Sequence, residues 1–133
     1  MSSGKQKLKA IEGTGMRIST RKSEWVVPPE APTKADDLSF TSRDSVGRIR
    51  WWDVTLPKTD YCHVHQILGR AYAFEYLDWV NNPDGDCGAH TLAFIVSAMS
   101  RQHASDGSWK TLQIMEGFLE VIGEMITTGT ARR

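Results

Sequence analysis

The sequence predicts a mainly α protein, a three-helix bundle preceded by an extended, partly disordered basic arm with a short β-strand. Three observations predict it. Apolar residues recur at helical spacing in three stretches between residues 59 and 129. Asn81-Asn82-Pro83-Asp84-Gly85 and Asp106-Gly107 interrupt those stretches with turn chemistry. Residues 1–47 show no comparable periodicity. The expected division is therefore an arm at 1–47, a helical domain at 48–129 and a C-terminal tail at 130–133. With 133 residues, 40% hydrophobic and 24% charged, the chain has material for one compact core, which excludes a multidomain enzyme.

Taken in order, residues 1–24 are polar and basic, and Trp25-Val26-Val27 is a small apolar knot before Pro28-Pro29. Proline fixes φ and restricts the residue before it, so 25–33 reads as extended. Arg48 to Leu56 has strand propensity and stops at Pro57. Adjacent Trp51 and Trp52 on a strand point to opposite faces, so only one of them enters the same core. The first helix is expected to begin at a cap on Thr59 or Asp60 and to end at Asn81-Asn82-Pro83. Its apolar stripe reads Tyr61, Val64, Leu68, Tyr72 and Trp79. Ile67, Ala71, Phe74 and Leu77 widen that stripe enough for a central helix or one shared in a homodimer.

The second helix is expected from Asp86 or Cys87. No charge occurs from Cys87 to Ser100, which reads as a buried core helix too short to cross a bilayer. The third is expected to start at a Ser108 cap and end at Gly129. Its predicted buried face is Trp109, Leu112, Met115, Leu119, Ile122 and Ile126. Lys110, Gln113, Gly117, Glu120, Glu124 and Thr127 form the opposite, polar face.

The balance of 16 basic and 16 acidic residues conceals a polarity. Residues 1–50 carry ten basic and six acidic side chains, and residues 51–133 carry six and ten. A basic arm thus precedes an acidic body, a pattern that suits nucleic acid or an acidic partner face as well as simple solubility. No apolar run of signal-peptide length follows the basic residues of the first ten positions, and only two cysteines occur, so the expected compartment is the reducing cytoplasm, with no membrane contact.

Two chemical constellations bear weighing. Cys62-x-x-His65 and Cys87-x-x-His90 share a ligand spacing suited to zinc. A helix of about 20 residues is roughly 30 Å long, which separates the two pairs. A local cluster of Cys62, His63, His65 and His103 is the better zinc candidate, and isolated side chains are the simpler reading. Cys87 at the start of an apolar helix has the placement of a thiolate stabilised by the helix dipole, as in cysteine hydrolases. A base within reach and a substrate cleft are both hard to find in so short a chain, so neither enzyme chemistry nor a cofactor is expected. No phosphate-loop, dinucleotide, zincin or nucleophile-elbow motif occurs.

Trp52, Asp60-Tyr61, Gly69-Arg70-Ala71-Tyr72-Ala73, Gly107-Ser108-Trp109 and Glu116-Gly117-Phe118 carry a resemblance to small uncharacterised helical proteins of phages and mobile elements of proteobacteria. It covers residues 51–119 and brings no catalytic residue with it. The resemblance implies a non-enzymatic factor that docks on a host protein or protein–nucleic acid complex, in the manner of an anti-CRISPR inhibitor. The expected contacts are Trp25, Arg48, Arg50, Trp51 and Trp52 on the arm side, since Trp and Arg dominate interface energetics. Glu116, Glu120 and Glu124 are expected on the acidic side. The alternatives are a nucleic-acid accessory protein using the same arm, and a small cysteine hydrolase using Cys87.

Overall fold

A computed structural model of the chain describes residues 31–131. They contain a 3-10 turn (Ala35–Asp37), a two-stranded antiparallel hairpin, β1 (Ser42–Arg43) and β2 (Ile49–Arg50), and three helices. The helices are α1 (Cys62–Val80), α2 (Thr91–Asp106) and α3 (Trp109–Thr128). This is the mainly α three-helix bundle with a short strand that the sequence predicts. At its C-terminal end, Ala131 packs against the core rather than leaving it as a tail.

The unit that holds the helices begins at Ala31, so the expected boundary at residue 48 falls inside it. Leu38 and Phe40 are buried in the main core with Trp52 and Val54. Both pairs are spaced by two, as one face of extended chain requires, and the two stretches are joined where the Asp53 N–H donates to the Phe40 carbonyl at 2.7 Å. Phe40 meets the rings of Tyr72 at 5.3 Å, Trp52 at 5.4 Å and Phe118 at 5.8 Å. Each such aromatic pair adds about 0.5–1.5 kcal/mol beyond the area it buries. Upstream, the Thr33 carbonyl accepts the Asp86 N–H at 3.0 Å and the Trp79 indole N–H at 3.1 Å. Asn82 Nδ2 donates to the Pro32 carbonyl at 2.8 Å. Residues 32 and 33 are thereby fastened to the α1–α2 connection.

The predicted strand at 48–56 contracts to Ile49–Arg50, paired so that Ser42 faces Arg50 and Arg43 faces Ile49. Asp44 organises the connecting turn, its Oδ1 accepting the N–H groups of Val46 at 3.0 Å and Arg48 at 2.9 Å. Gly47 completes the turn at φ +87°, where a side chain would be strained.

The bundle's central contact is between α1 and α3, and it is made by glycine. A Cβ on Gly69 would lie 1.9 Å from the Ile114 carbonyl oxygen, and one on Gly117 would lie 2.1 Å from that of Gln66. The two backbones touch at this crossing. Around it α1 buries His65, Gly69, Ala73, Tyr76 and Trp79, and α3 buries Thr111, Ile114, Gly117, Phe118, Val121 and Ile122. Both buried faces are rotated from the predicted ones. Tyr61 is exposed on α1, and Trp109, Leu112, Leu119 and Ile126 are exposed on α3, while Gly117, expected on the polar face, is at the contact. The most apolar stripe loses to the one that allows closest approach, because close approach brings every flanking atom into dispersion contact.

Helix starts show the same mixture of agreement and correction. Ser108 caps α3 as predicted, its Oγ accepting the Lys110 N–H at 3.1 Å, and Gly129 ends it. Neither Thr59 nor Asp60 caps α1; Tyr61 holds that position without a side-chain bond. Helix α2 begins at Thr91, four residues after Cys87, and buries only Thr91, Ile95 and Met99, so it is not a buried core helix. Its uncharged stretch even leaves Phe94, against Trp51, 45% exposed. No helix among the described residues is long and apolar enough to cross a membrane.

Candidate interaction surface

The aromatic contacts expected for a partner are mostly consumed by the fold. Trp52 is 6% exposed, with ring neighbours Phe40, Phe118 and Tyr72. Trp51 is half-buried between Trp79 at 6.4 Å and Phe94 at 5.8 Å. One tryptophan therefore enters the core, as strand parity requires, and the other is covered by α1 and α2. Trp52 is corrected from partner contact to core residue. Trp25 lies outside the described residues.

The hairpin presents Arg48 and Arg50 at the surface. Arg48 Nε is 3.4 Å from Asp44 Oδ2, and Arg43, across the hairpin, pairs with Asp36 at 2.8 Å. Exposed pairs of this kind contribute little to stability. Accepting the Arg48 and Val46 backbone N–H groups holds the Asp44 carboxyl below its ordinary value of 3.8. A group with a depressed folded pKa stabilises above its unfolded value, and that contribution is lost as pH falls through the folded one. The hairpin turn is thus expected to loosen below about pH 4, with the Val46 and Arg48 amide resonances titrating together in an NMR series. In Asp44→Ala neither resonance is expected to move over that range, and movement there would assign the transition to another acid.

The acidic face is partly internal. Arg70 on α1 binds Glu120 and Glu124 on α3, with Glu124 at 3.2 Å. This pairing, led by the hydrogen bond to Glu124, raises the guanidinium pKa further. Glu124 therefore belongs to the α1–α3 contact as much as to the surface. Glu120 keeps a side chain 62% exposed beside Arg70. Glu116 is exposed and accepts a long bond from Gln113 Nε2 at 3.3 Å.

The cysteine and histidine candidates do not assemble. Cys62 and His63 are exposed, His65 is buried and His103 is half-buried; among the described residues no three potential ligands converge on a metal position. His65 is instead a packing residue, its Nε2–H donating to the Thr59 carbonyl at 3.0 Å and its ring edge-on to Trp109 at 5.4 Å. Cys87 lies in the loop before α2 and has no helix terminus behind it, which removes the dipole argument for a nucleophile. It neighbours Tyr76, whose hydroxyl pKa is raised chiefly by burial and further by the thiol. His90, one turn beyond Cys87 by sequence, packs edge-on to Phe94 at 5.0 Å.

The rotation of α3 leaves a surface feature the sequence reading placed inside. Leu112, Leu119 and Ile126 are spaced seven residues apart and are 36, 40 and 78% exposed. Two turns of helix separate successive members, so they form one straight line along α3. Half-buried Met115 and buried Ile122 floor its inner side, and Glu116 and Glu120 border the outer side. From Thr111 to Ala131 there is no lysine or arginine. The signal that could have found this face is Gly117: a glycine inside an otherwise strong helix marks a close backbone contact, and it fixes which side of α3 faces inward.

No family model matches the chain, and neither a curated protein nor a solved structure does.

Proposed function

We propose that the chain is a non-enzymatic binding protein that docks on another protein through the outer face of α3. The observation that carries this reading is the line of Leu112, Leu119 and Ile126 in water. Isolated exposed apolar residues are ordinary, but a continuous row bordered by charge is the usual form of a protein-contact surface. We extend this reading to the class expected from the sequence, an inhibitor or accessory factor acting in the cytoplasm on a host protein or protein–nucleic acid complex. The exposed Arg48 and Arg50 supply a second contact region on the hairpin.

The test compares tagged full-length wild type with the triple variant Leu112→Ser, Leu119→Ser, Ile126→Ser in pull-downs from host lysate, each with and without nuclease. The expected result is a protein captured by wild type, retained after nuclease and lost in the triple variant. Equal capture by both proteins would remove the α3 face from the contact. A catch that vanishes with nuclease would favour nucleic-acid binding through Arg48 and Arg50, with the steep salt dependence that phosphate contacts impose.

A further inference from the structure

We propose that the occupant of the α3 face is an amphipathic helix whose apolar seam is flanked by lysine or arginine. The inference rests on the docking reading above and adds the chemistry of the partner. Spacing indicates the shape: Leu112, Met115, Leu119, Ile122 and Ile126 alternate by three and four, the two rows of a seam along which helices supercoil left-handedly, each side chain entering a gap between four others. Leu112 to Ile126 spans about 21 Å, enough to seat four turns of a partner helix. Met115, unbranched and half-buried beside the line, adapts its shape to an incoming side chain.

The border indicates the charge. Glu116 and Glu120 are one turn apart on the same edge of the line, both exposed. Arg70, on α1, pairs with Glu120 and with Glu124. From Thr111 to Ala131 the sequence holds three glutamates and no lysine or arginine, so α3 itself brings only negative charge to this edge. A helix with cations at the flanking positions neutralises that edge while its seam covers Leu112, Leu119 and Ile126. The α3 face of a second copy would set glutamate against glutamate along this edge. An anionic lipid surface meets the same repulsion.

Two labelled synthetic 21-residue helices test this by fluorescence anisotropy on the full-length chain. Both carry leucine at the seam positions; one has lysine at every flanking position and the other glutamate. Like charges at those positions keep each probe from pairing with itself. The lysine probe is expected to bind at least about tenfold more tightly than the glutamate probe at low salt. Leu119→Ser with Ile126→Ser is expected to weaken the lysine probe by about tenfold or more while the far-UV spectrum stays helical. Glu116→Lys, a second change at an exposed position, is expected to weaken it roughly fivefold and to improve the glutamate probe. Equal binding of the two probes, binding of neither, or binding indifferent to the Leu119 and Ile126 changes would each overturn the proposal. A stripe-dependent capture from lysate together with probe failure would refute the basic-helix chemistry and leave the docking reading standing.

Discussion

Replacing Gly117 with alanine is expected to lower the melting temperature by about 15 °C or more, or to prevent folding altogether. The added methyl group would sit 2.1 Å from the Gln66 carbonyl oxygen and 2.9 Å from its carbonyl carbon. These are helix backbone atoms, with no rotamer to change, so α1 and α3 must separate. Separation loosens Ile114, Phe118 and Val121 on one helix and Ala73 on the other, all buried around the crossing. Overpacking a well-filled core costs about 1–3 kcal/mol, and the upper end applies when the obstacle is backbone. In a domain of about 100 residues each kcal/mol shifts the midpoint by roughly 4–8 °C. Gly69→Ala meets the Ile114 backbone in the same way and should behave alike. Gly123→Ala is the control, because its Cβ meets nothing within 4 Å. There, alanine's better helix propensity should raise stability by about 0.5–1 kcal/mol. Thermal melts of the three variants followed by circular dichroism decide the matter; a Gly117→Ala midpoint no lower than that of Gly123→Ala would mean the helices do not touch there.

Trp52→Ala is expected to cost about 3–5 kcal/mol, the usual range for deleting a large buried aromatic side chain. The sequence alone presents Trp52 as a binding residue whose removal leaves the bundle intact. The structure reverses that expectation, since its ring contacts Phe40, Tyr72 and Phe118 together. Loss of the indole leaves those three rings facing a cavity at the point where residues 31–56 meet the helices. Urea denaturation should show a lower midpoint with little change in slope. Trp51→Ala, at a half-buried ring between Trp79 and Phe94, should cost clearly less. If the two variants unfold at the same denaturant concentration, the assignment of Trp52 to the core fails. A truncation through residue 50 is uninformative about binding, because it removes Leu38 and Phe40 from the core.

What could be read from the sequence was what local chemistry decides. The α3 boundaries follow from Ser108 and Gly129, and the turn before it from Asp106-Gly107, because caps and turns act within a few residues. The exposed positions of Arg48, Arg50 and Glu116 follow from charge. Helix faces were not legible by the same means. Counting apolar residues ranks Leu112, Leu119 and Ile126 above Gly117, yet a glycine governs how near two axes approach, and that depends on the partner helix. Leu38 and Phe40 were missed because two alternating apolar residues among polar ones are too short a period to register. Trp52 was half legible: parity required one of the two tryptophans to turn inward, and only Phe40, Tyr72 and Phe118 decide which.

Helix α2 closes the chain between two partners that hold each other without it. It contributes fewer buried residues than α1 or α3, namely Thr91, Ile95 and Met99, whereas α1 and α3 meet backbone to backbone at Gly69 and Gly117. The domain is accordingly expected to show two tiers of cooperativity. In a hydrogen-exchange measurement, amides of α2 are expected to exchange through a partial opening that spares the other two helices, and those around the glycine crossing only with global unfolding. The outer face of α3 would then belong to the upper tier, and the proposed docking surface would keep its geometry while the neighbouring helix opens and recloses.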